Sequence, residues 1–348
     1  MKYLKPVLQN FNQIIFLIFL SIGFIFIFFS INSSIKINQL NFFNGEMTAE
    51  IESEISTKNP LRKVAVDIWG AFEFSVFRIG YSGVLVGKNN WLFSSEEFTY
   101  HKEFMKNIQE KIEKIKSIKR KLNSKKIDLM VVIVPSKARL YSEFLGDYKR
   151  PLEWEKVHGD FLESLRRENI QVISVLAAMR SAKPKGDLFF RTDTHWTPLG
   201  SRVAAQVISK SNFLETIKTQ TTQYIWVSQE KESYSGDLLK FIPVRFLGGL
   251  APKPDTLNLS KLENSTSSSL NLLEESAPEI ALVGTSYSAN PKFGFLDALK
   301  FELQADIVNL SEVGKGFISP MEKFLTSTNQ KGIKLVIWEI PERYLPIR

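Results

Sequence analysis

Two short segments carry residues with complementary chemistry. In RTDTHWTPLG, Asp193 and His195 stand two apart, and in VGTSYS, Ser286 follows a Gly-Thr pair. Imidazole titrates near neutrality and acts as a general base when a carboxylate fixes its tautomer and stabilises the imidazolium. A serine hydroxyl beside such a base becomes a nucleophile toward acyl groups. Asp193, His195 and Ser286 therefore read as a triad for esterase or acyltransferase chemistry. Ser288 is a rival nucleophile, and the inert alternatives are a helix-capping Ser286 and a structural His195. His101 and His158 lack a comparable setting and read as surface residues. The chain has no cysteine, which excludes thiol nucleophiles and thiolate metal sites. Neither a metal nor a cofactor is expected.

The elements around these residues determine whether they can meet. Apolar Glu279–Val283 suits a buried strand running into a tight Gly284-Thr285-Ser286 turn and then a helix. That turn would place Ser286 at the carboxyl edge of a parallel sheet, where ligands bind, beside free helix N-terminal amides suited to an oxyanion. Thr197 and Pro198 supply an N-cap and a first helical residue, so Asp193 and His195 sit just before a helix. Further strand-like runs occupy 127–134, 171–176, 305–310 and 333–340, and helical patterns lie near 102–125, 152–168, 198–210, 289–301 and 318–329. This alternation predicts an α/β fold with a mostly parallel sheet covered on both faces. VLVGKNNWLF, from Val84, reads as two short strands joined around Lys88-Asn89-Asn90. Residues 212–278 break the rhythm as an irregular insertion, and its Ser/Thr/Asn-rich part from Asn258 to Asn271 reads as an exposed loop. One domain over 81–348, preceded by a lead-in segment over 32–80, accounts for the pattern.

GTSYS lacks the last glycine of G-x-S-x-G, and Asp and His precede Ser, which is not the α/β-hydrolase order. The ordered set VLVGKNNWLFSSEE, VVIVPSKARLY, RTDTHWTPLG, SGDLLKFIP, VGTSYS and WEIPERYL resembles the SGNH hydrolase superfamily, specifically the AlgJ/AlgX group of alginate O-acetylation proteins. The resemblance implies a flavodoxin-like α/β/α sandwich with Ser286 as nucleophile, His195 as base and Asp193 as its orienting acid. The Asp/His block precedes the serine block, a circularly permuted order that the AlgJ/AlgX group shares. Beside the Ser286 amide, Gly314 or Gly316 in EVGKGF could offer an oxyanion-hole amide, and because WEIPERY stands where many SGNH enzymes carry an Asn donor, Tyr344 or Arg343 could supply that donor instead. Glu339 and Arg343 could alternatively form a structural ion pair. Lys137 and Arg139, with Asp237 and Arg343, are candidates for binding an acidic sugar. A solvated loop is the alternative for Lys137 and Arg139, and a simple turn the favoured one for Asp237. AlgX carries an additional C-terminal carbohydrate-binding module; with eight residues after Ile340, none is expected here, and AlgJ is the expected better likeness.

Ile14 to Ile31 is an eighteen-residue run without charge. At about 1.5 Å per residue it nearly spans a hydrocarbon core of about 30 Å. Lys2 and Lys5 precede it, so the positive-inside bias puts residues 1–13 in the cytoplasm and the rest in the periplasm, with 14–31 as an uncleaved single-pass inner-membrane anchor; a cleaved secretory signal peptide is the alternative. The formal charge of +8 suits an acidic polymer or lipid surface, and this topology argues against nucleic acid. The expected activity is O-acetyl transfer to an exported, alginate-like polysaccharide through an acetyl-serine, with acetyl delivered by a multi-pass membrane O-acyltransferase. An acetyl esterase and an inert polysaccharide-binding scaffold are the alternatives.

Overall fold

The computed structural model describes residues 60–217, 219, 221–265 and 277–347, with a few isolated positions nearer the N terminus. Most of the expected anchor, 14–31, lies outside them. No helix among the described residues is long and apolar enough to cross a membrane. The chain divides into two compact units, one holding residues up to Phe77 with Pro243–Gly249, the other Arg78–Ile242 with Leu250–Arg348. In the first, helix α1 (Pro60–Phe77) buries Ala71 and Phe74 and exposes the stripe Val64, Ile68, Phe72 and Val76.

The second unit opens with the predicted strand pair, β1 (Val84–Val86) against β2 (Leu92–Ser94), antiparallel. Their connection needs left-handed backbone, which Asn89 and Asn90 supply at φ 55° and 58°. All five apolar runs become strands of one parallel sheet: β3 (Asp128–Val134), β4 (Gln171–Ser174), β7 (Ile280–Val283), β8 (Ile307–Asn309) and β9 (Leu335–Pro341), in the order β4-β3-β9-β7-β8. Both faces are buried because side chains alternate across a strand. Met130, Val132, Ile280, Leu282, Leu335 and Ile337 face one core, shared with α4 (Leu176–Ala182), α5 (Pro198–Ser209) and α7 (Phe295–Leu303). Leu129, Val131, Ala281, Val283, Val336 and Trp338 face the other, under α2 (Phe104–Ser124), α3 (Leu152–Arg167) and α8 (Ile318–Thr326). The result is the expected α/β/α sandwich. In α2 the stripe Ile108, Ile112, Ile115, Ile118 and Leu122 is buried while the lysines face outward, so the charge there belongs to a solvated helix face.

Two expectations need correction. The helix expected over 289–301 is divided into α6 (Ser286–Ala289), a 3-10 turn at Pro291–Phe293 and α7. Pro291 has no amide to donate, and Gly294 adopts φ +67°. The expected loop from Asn258 is, up to Asn264, part of a strand: β6 (Asp255–Asn264) pairs antiparallel with β5 (Tyr224–Tyr234). Leu257 is buried while most of β6 faces solvent, so its Ser and Asn residues belong to an open strand face. Residues 266–271 of that stretch lie outside the described residues.

Candidate active site

Ser286 begins α6 directly beyond the carboxyl end of β7. The turn is shaped by β9: a Cβ on Gly284 would lie 2.5 Å from Glu339 Oε2, so only glycine lets the backbone pass this close. Glu339 then accepts from the Thr285 amide (2.8 Å), the Thr285 hydroxyl (3.0 Å) and the Ser288 hydroxyl (3.0 Å). Burial pushes its carboxyl above the usual glutamate range, and these hydrogen bonds oppose the rise. Ser288 is thereby committed to Glu339 and buried, which removes it as the rival nucleophile. The Ser286 hydroxyl is half-buried and faces the other way.

His195 Nε2 lies 2.7 Å from Ser286 Oγ, and His195 Nδ1 lies 2.6 Å from Asp193 Oδ1. The three residues chosen from the sequence meet in one continuous relay. His195 precedes α5, whose first turn is capped by the Thr197 hydroxyl accepting from the Gly200 amide. Phe293 stacks on the imidazole with ring centroids 4.9 Å apart, and the Tyr287 ring lies 4.7 Å from it. The Tyr287 hydroxyl donates to the Thr194 carbonyl (2.6 Å) and the Trp196 indole to the Tyr287 carbonyl (3.0 Å), tying the Ser286 turn to the His195 segment.

Asp193 is 1% exposed, and four donors surround its carboxylate. Oδ1 accepts from the His195 amide and imidazole, Oδ2 from the Tyr234 hydroxyl (2.7 Å) and the Asp237 amide (2.9 Å). Burial alone would raise this carboxyl, but the His195 contacts and these donors outweigh it and hold Asp193 well below the ordinary aspartate range. Tyr234 was not anticipated. It ends β5 in the insertion read as irregular, and burial with the adjacent carboxylates pushes its hydroxyl far above the usual phenol range. Asp193, His195 and Asp237 bring ligand-type atoms within 4.8 Å of one another. The Asp193 oxygens are already engaged, and both Asp237 oxygens accept from Thr194, so the cluster reads as the relay itself.

The remaining candidates separate. Asp237 makes the expected turn and also holds the segment between Asp193 and His195, through the Thr194 amide (2.9 Å) and hydroxyl (2.7 Å). Gly236 packs on the same segment, since a Cβ there would meet the Thr192 carbonyl oxygen at 2.2 Å. Lys137 is 1% exposed, neither a solvated loop residue nor open to a sugar. Arg139 is likewise turned inward onto Glu342, with Nη2 2.8 Å from Oε1. Glu342 also takes His158 (3.1 Å), Arg150 (3.3 Å) and the Ser136 amide (3.1 Å), so His158 is a buried structural residue and not a surface one. Burial would raise Glu342, but these partners hold it well below the glutamate range. The alternative pairing of Glu339 with Arg343 does not form. Arg343 is buried, donates to the Tyr344 hydroxyl (2.8 Å), lies over the Tyr287 ring and reaches Glu96 only at 3.9 Å. Gly314 and Gly316 occupy the loop after β8 with φ +72° and +63°. That loop is tied to the nucleophile turn by the Glu312 amide donating to the Gly284 carbonyl (3.2 Å).

The family model for the SGNH hydrolase-like domain of the acetyltransferase AlgX matches residues 84–342. The chain is 34% identical over 320 residues to the probable alginate O-acetylase AlgJ of Pseudomonas putida, covering 90% of this chain and 83% of that protein. It is more distantly similar to the alginate biosynthesis protein AlgX of Pseudomonas aeruginosa, at 26% over 242 residues, covering 66% of this chain and 50% of that one. The solved O-acetyltransferase domain of Pseudomonas putida AlgJ superposes with a TM-score of 0.70 at 36% identity, covering 76% of this chain and 93% of that domain.

Proposed function

Because the chain belongs to the AlgX family of SGNH hydrolase-like acetyltransferase domains, with AlgJ as its better likeness, we propose that it is an O-acetyltransferase acting on an exported, alginate-like polysaccharide through an acetyl-serine intermediate. The observation that carries the mechanism is the relay from Asp193 through His195 to Ser286, closed at 2.6 Å and 2.7 Å. An inert scaffold would have no need to keep a hydroxyl half-open on a buried, oriented imidazole.

In the first half-reaction His195 Nε2 takes the Ser286 proton as Oγ attacks the acetyl carbonyl of the donor. The Asp193 carboxylate fixes the proton on Nδ1 and stabilises the imidazolium. The tetrahedral oxyanion needs donors that are not otherwise engaged. Around the turn the Thr285 amide is taken by Glu339 and the Tyr287 amide by the Thr285 hydroxyl, which leaves the Ser286 amide for this role. Gly314, Gly316 and Tyr344 are the candidates for a second donor. The intermediate collapses, the donor's leaving group takes the proton from His195, and acetyl-Ser286 remains. In the second half an acceptor hydroxyl gives its proton to His195, attacks the acetyl carbon and releases Ser286, which regains a proton from the imidazolium. Water in place of the sugar hydroxyl makes the same site an esterase.

The acidic acceptor is supported by the alginate O-acetylase designation of the relatives and by the +8 formal charge of the chain. A periplasmic site held to the inner membrane by residues 14–31, and supplied by a multi-pass O-acyltransferase, completes the proposal. Incubating the chain with an acetyl donor and alginate oligosaccharides should give acetyl mass increments on the sugar that disappear in Ser286→Ala. Acetate release alone, with unmodified sugar under every condition, would favour the esterase. Fusing a reporter active only in the periplasm after residue 348 tests the topology, and an inactive reporter would contradict it.

A further inference from the structure

Lys137 is the most deeply buried cation near the relay, and the mechanism above gives it no part. It stands just beyond β3 at the start of the one-turn helix Lys137–Leu140, and its ammonium lies 5.2 Å and 5.4 Å from the centroids of the Trp91 and Phe93 rings. Its ammonium donates to three backbone carbonyls: Leu92 on β2 (2.6 Å), Arg191 (2.9 Å) and Asp193 (2.9 Å). The last belongs to the residue that orients the base. Only Arg191 of these carbonyls has a second described donor, the Leu92 amide at 2.9 Å. A lysine with no carboxylate in direct contact, spending all three N–H groups on main chain, is a clamp joining β2, β3 and the His195 segment.

We propose that Lys137 is a positioning residue for the catalytic pair, its charged ammonium holding the Arg191–Asp193 backbone so that Asp193 meets His195, and that loss of its proton sets an alkaline limit on activity. The inference rests on the Ser-His-Asp reading of the site. Carboxylates face the ammonium from several segments: Asp193 itself, Asp187 earlier in the same stretch of chain, Asp237 after β5, Asp255 at the start of β6, and Glu97 after β2. Burial works against them and lowers the ammonium to about 8, within reach of ordinary assay conditions. A neutral amine keeps two N–H groups for three carbonyls. Deprotonation therefore releases one anchor of the loop and removes a positive charge that faces Asp193. The clamp is complete below about pH 8 and fails above it.

The test is the pH dependence of kcat for acetyl ester hydrolysis by the full-length chain, in wild type, Lys137→Met, Lys137→Arg and Ser286→Ala, with circular dichroism to verify folding. Wild type should lose activity above about pH 8. Lys137→Met, folded, should lower kcat about 100-fold with KM changed less than threefold, since small displacements of a catalytic group cost rates of that order, and its residual activity should lack the alkaline fall. Lys137→Arg keeps its charge throughout and should hold its activity, whatever the level, through pH 10. A folded Lys137→Met with wild-type kcat, or an alkaline fall unchanged in Lys137→Arg, overturns the proposal. If neither variant folds, a wild-type kcat flat from pH 7.5 to 9.5 overturns it. Full activity in Ser286→Ala would instead overturn the catalytic reading beneath it.

Discussion

At the residue scale, the relay depends on groups that touch neither Ser286 nor the substrate. Tyr234 donates to the Asp193 oxygen opposite His195, and hydrogen bonds to charged groups contribute about 1.5 to 3 kcal/mol. Tyr234→Phe keeps the ring and deletes the donor. It should lower kcat by about tenfold or more with KM nearly unchanged, read from steady-state ester hydrolysis; equal kcat would show that Asp193 needs no such support. The two serines of GTSYS should separate sharply in the same assay. Ser288→Ala removes one of the donors to Glu339 and should cost about 1 kcal/mol of stability while leaving turnover within a few fold. If Ser288→Ala were the dead variant and Ser286→Ala the active one, the nucleophile would have been assigned to the wrong hydroxyl.

At the scale of elements, the site is a meeting of three turns at one sheet edge: after β7, before α5 and after β5. The first two were legible in the sequence because each joins a strong period signal to a known capping or turn residue. Gly284 follows a buried strand, and Thr197-Pro198 opens a helix. The third was not legible. β5 and β6 form a largely solvent-facing hairpin, so their composition is that of a loop, and Tyr234 acts through a fold-dependent contact with a residue 41 positions away. The misplacement of Lys137 and Arg139 has a similar cause. Cations after a strand usually face water, and only the folded chain reveals the carbonyls and Glu342 that draw them inside. Gly284→Ala tests the nucleophile turn as an element. A Cβ 2.5 Å from Glu339 Oε2 and 3.1 Å from Ser288 Oγ must displace the turn or the β9 carboxylate. A stability loss of about 1 to 3 kcal/mol is expected in denaturant titration, with most activity gone. Unchanged activity would mean that the turn tolerates the shift.

For the whole molecule, Glu342 joins segments far apart in the chain. Fully buried, it gathers Arg139, Arg150, His158 and the Ser136 amide where β9 ends, one residue beyond Pro341, the last β9 position paired with β3. Removing one partner from a buried charge network costs about 3 to 5 kcal/mol, so Glu342→Ala should destabilise the chain by that order in urea unfolding. The network also sets the response to acid. Glu342 and Asp193 are held below their ordinary ranges, so as pH falls the unfolded chain takes up their protons first. Their contribution is complete above the usual carboxylate range, about pH 4, and is lost as pH drops through the folded values. Glu97 and Glu339, raised by burial, act in the opposite direction and partly offset that loss. The urea midpoint should therefore fall between pH 5 and pH 3 in wild type and fall less in Glu342→Gln; identical slopes would remove Glu342 from the account of acid stability.

The central claim is that Ser286 carries the acetyl group between donor and acceptor. The most direct measurement is intact-protein and peptide mass spectrometry of the full-length chain quenched with acid during turnover of an acetyl ester. One acetyl increment is expected on the peptide containing Ser286, absent in Ser286→Ala and lost on adding alginate oligosaccharide as the sugar gains acetyl. Turnover with no acetyl on that peptide at any time, or full turnover by Ser286→Ala, would contradict it.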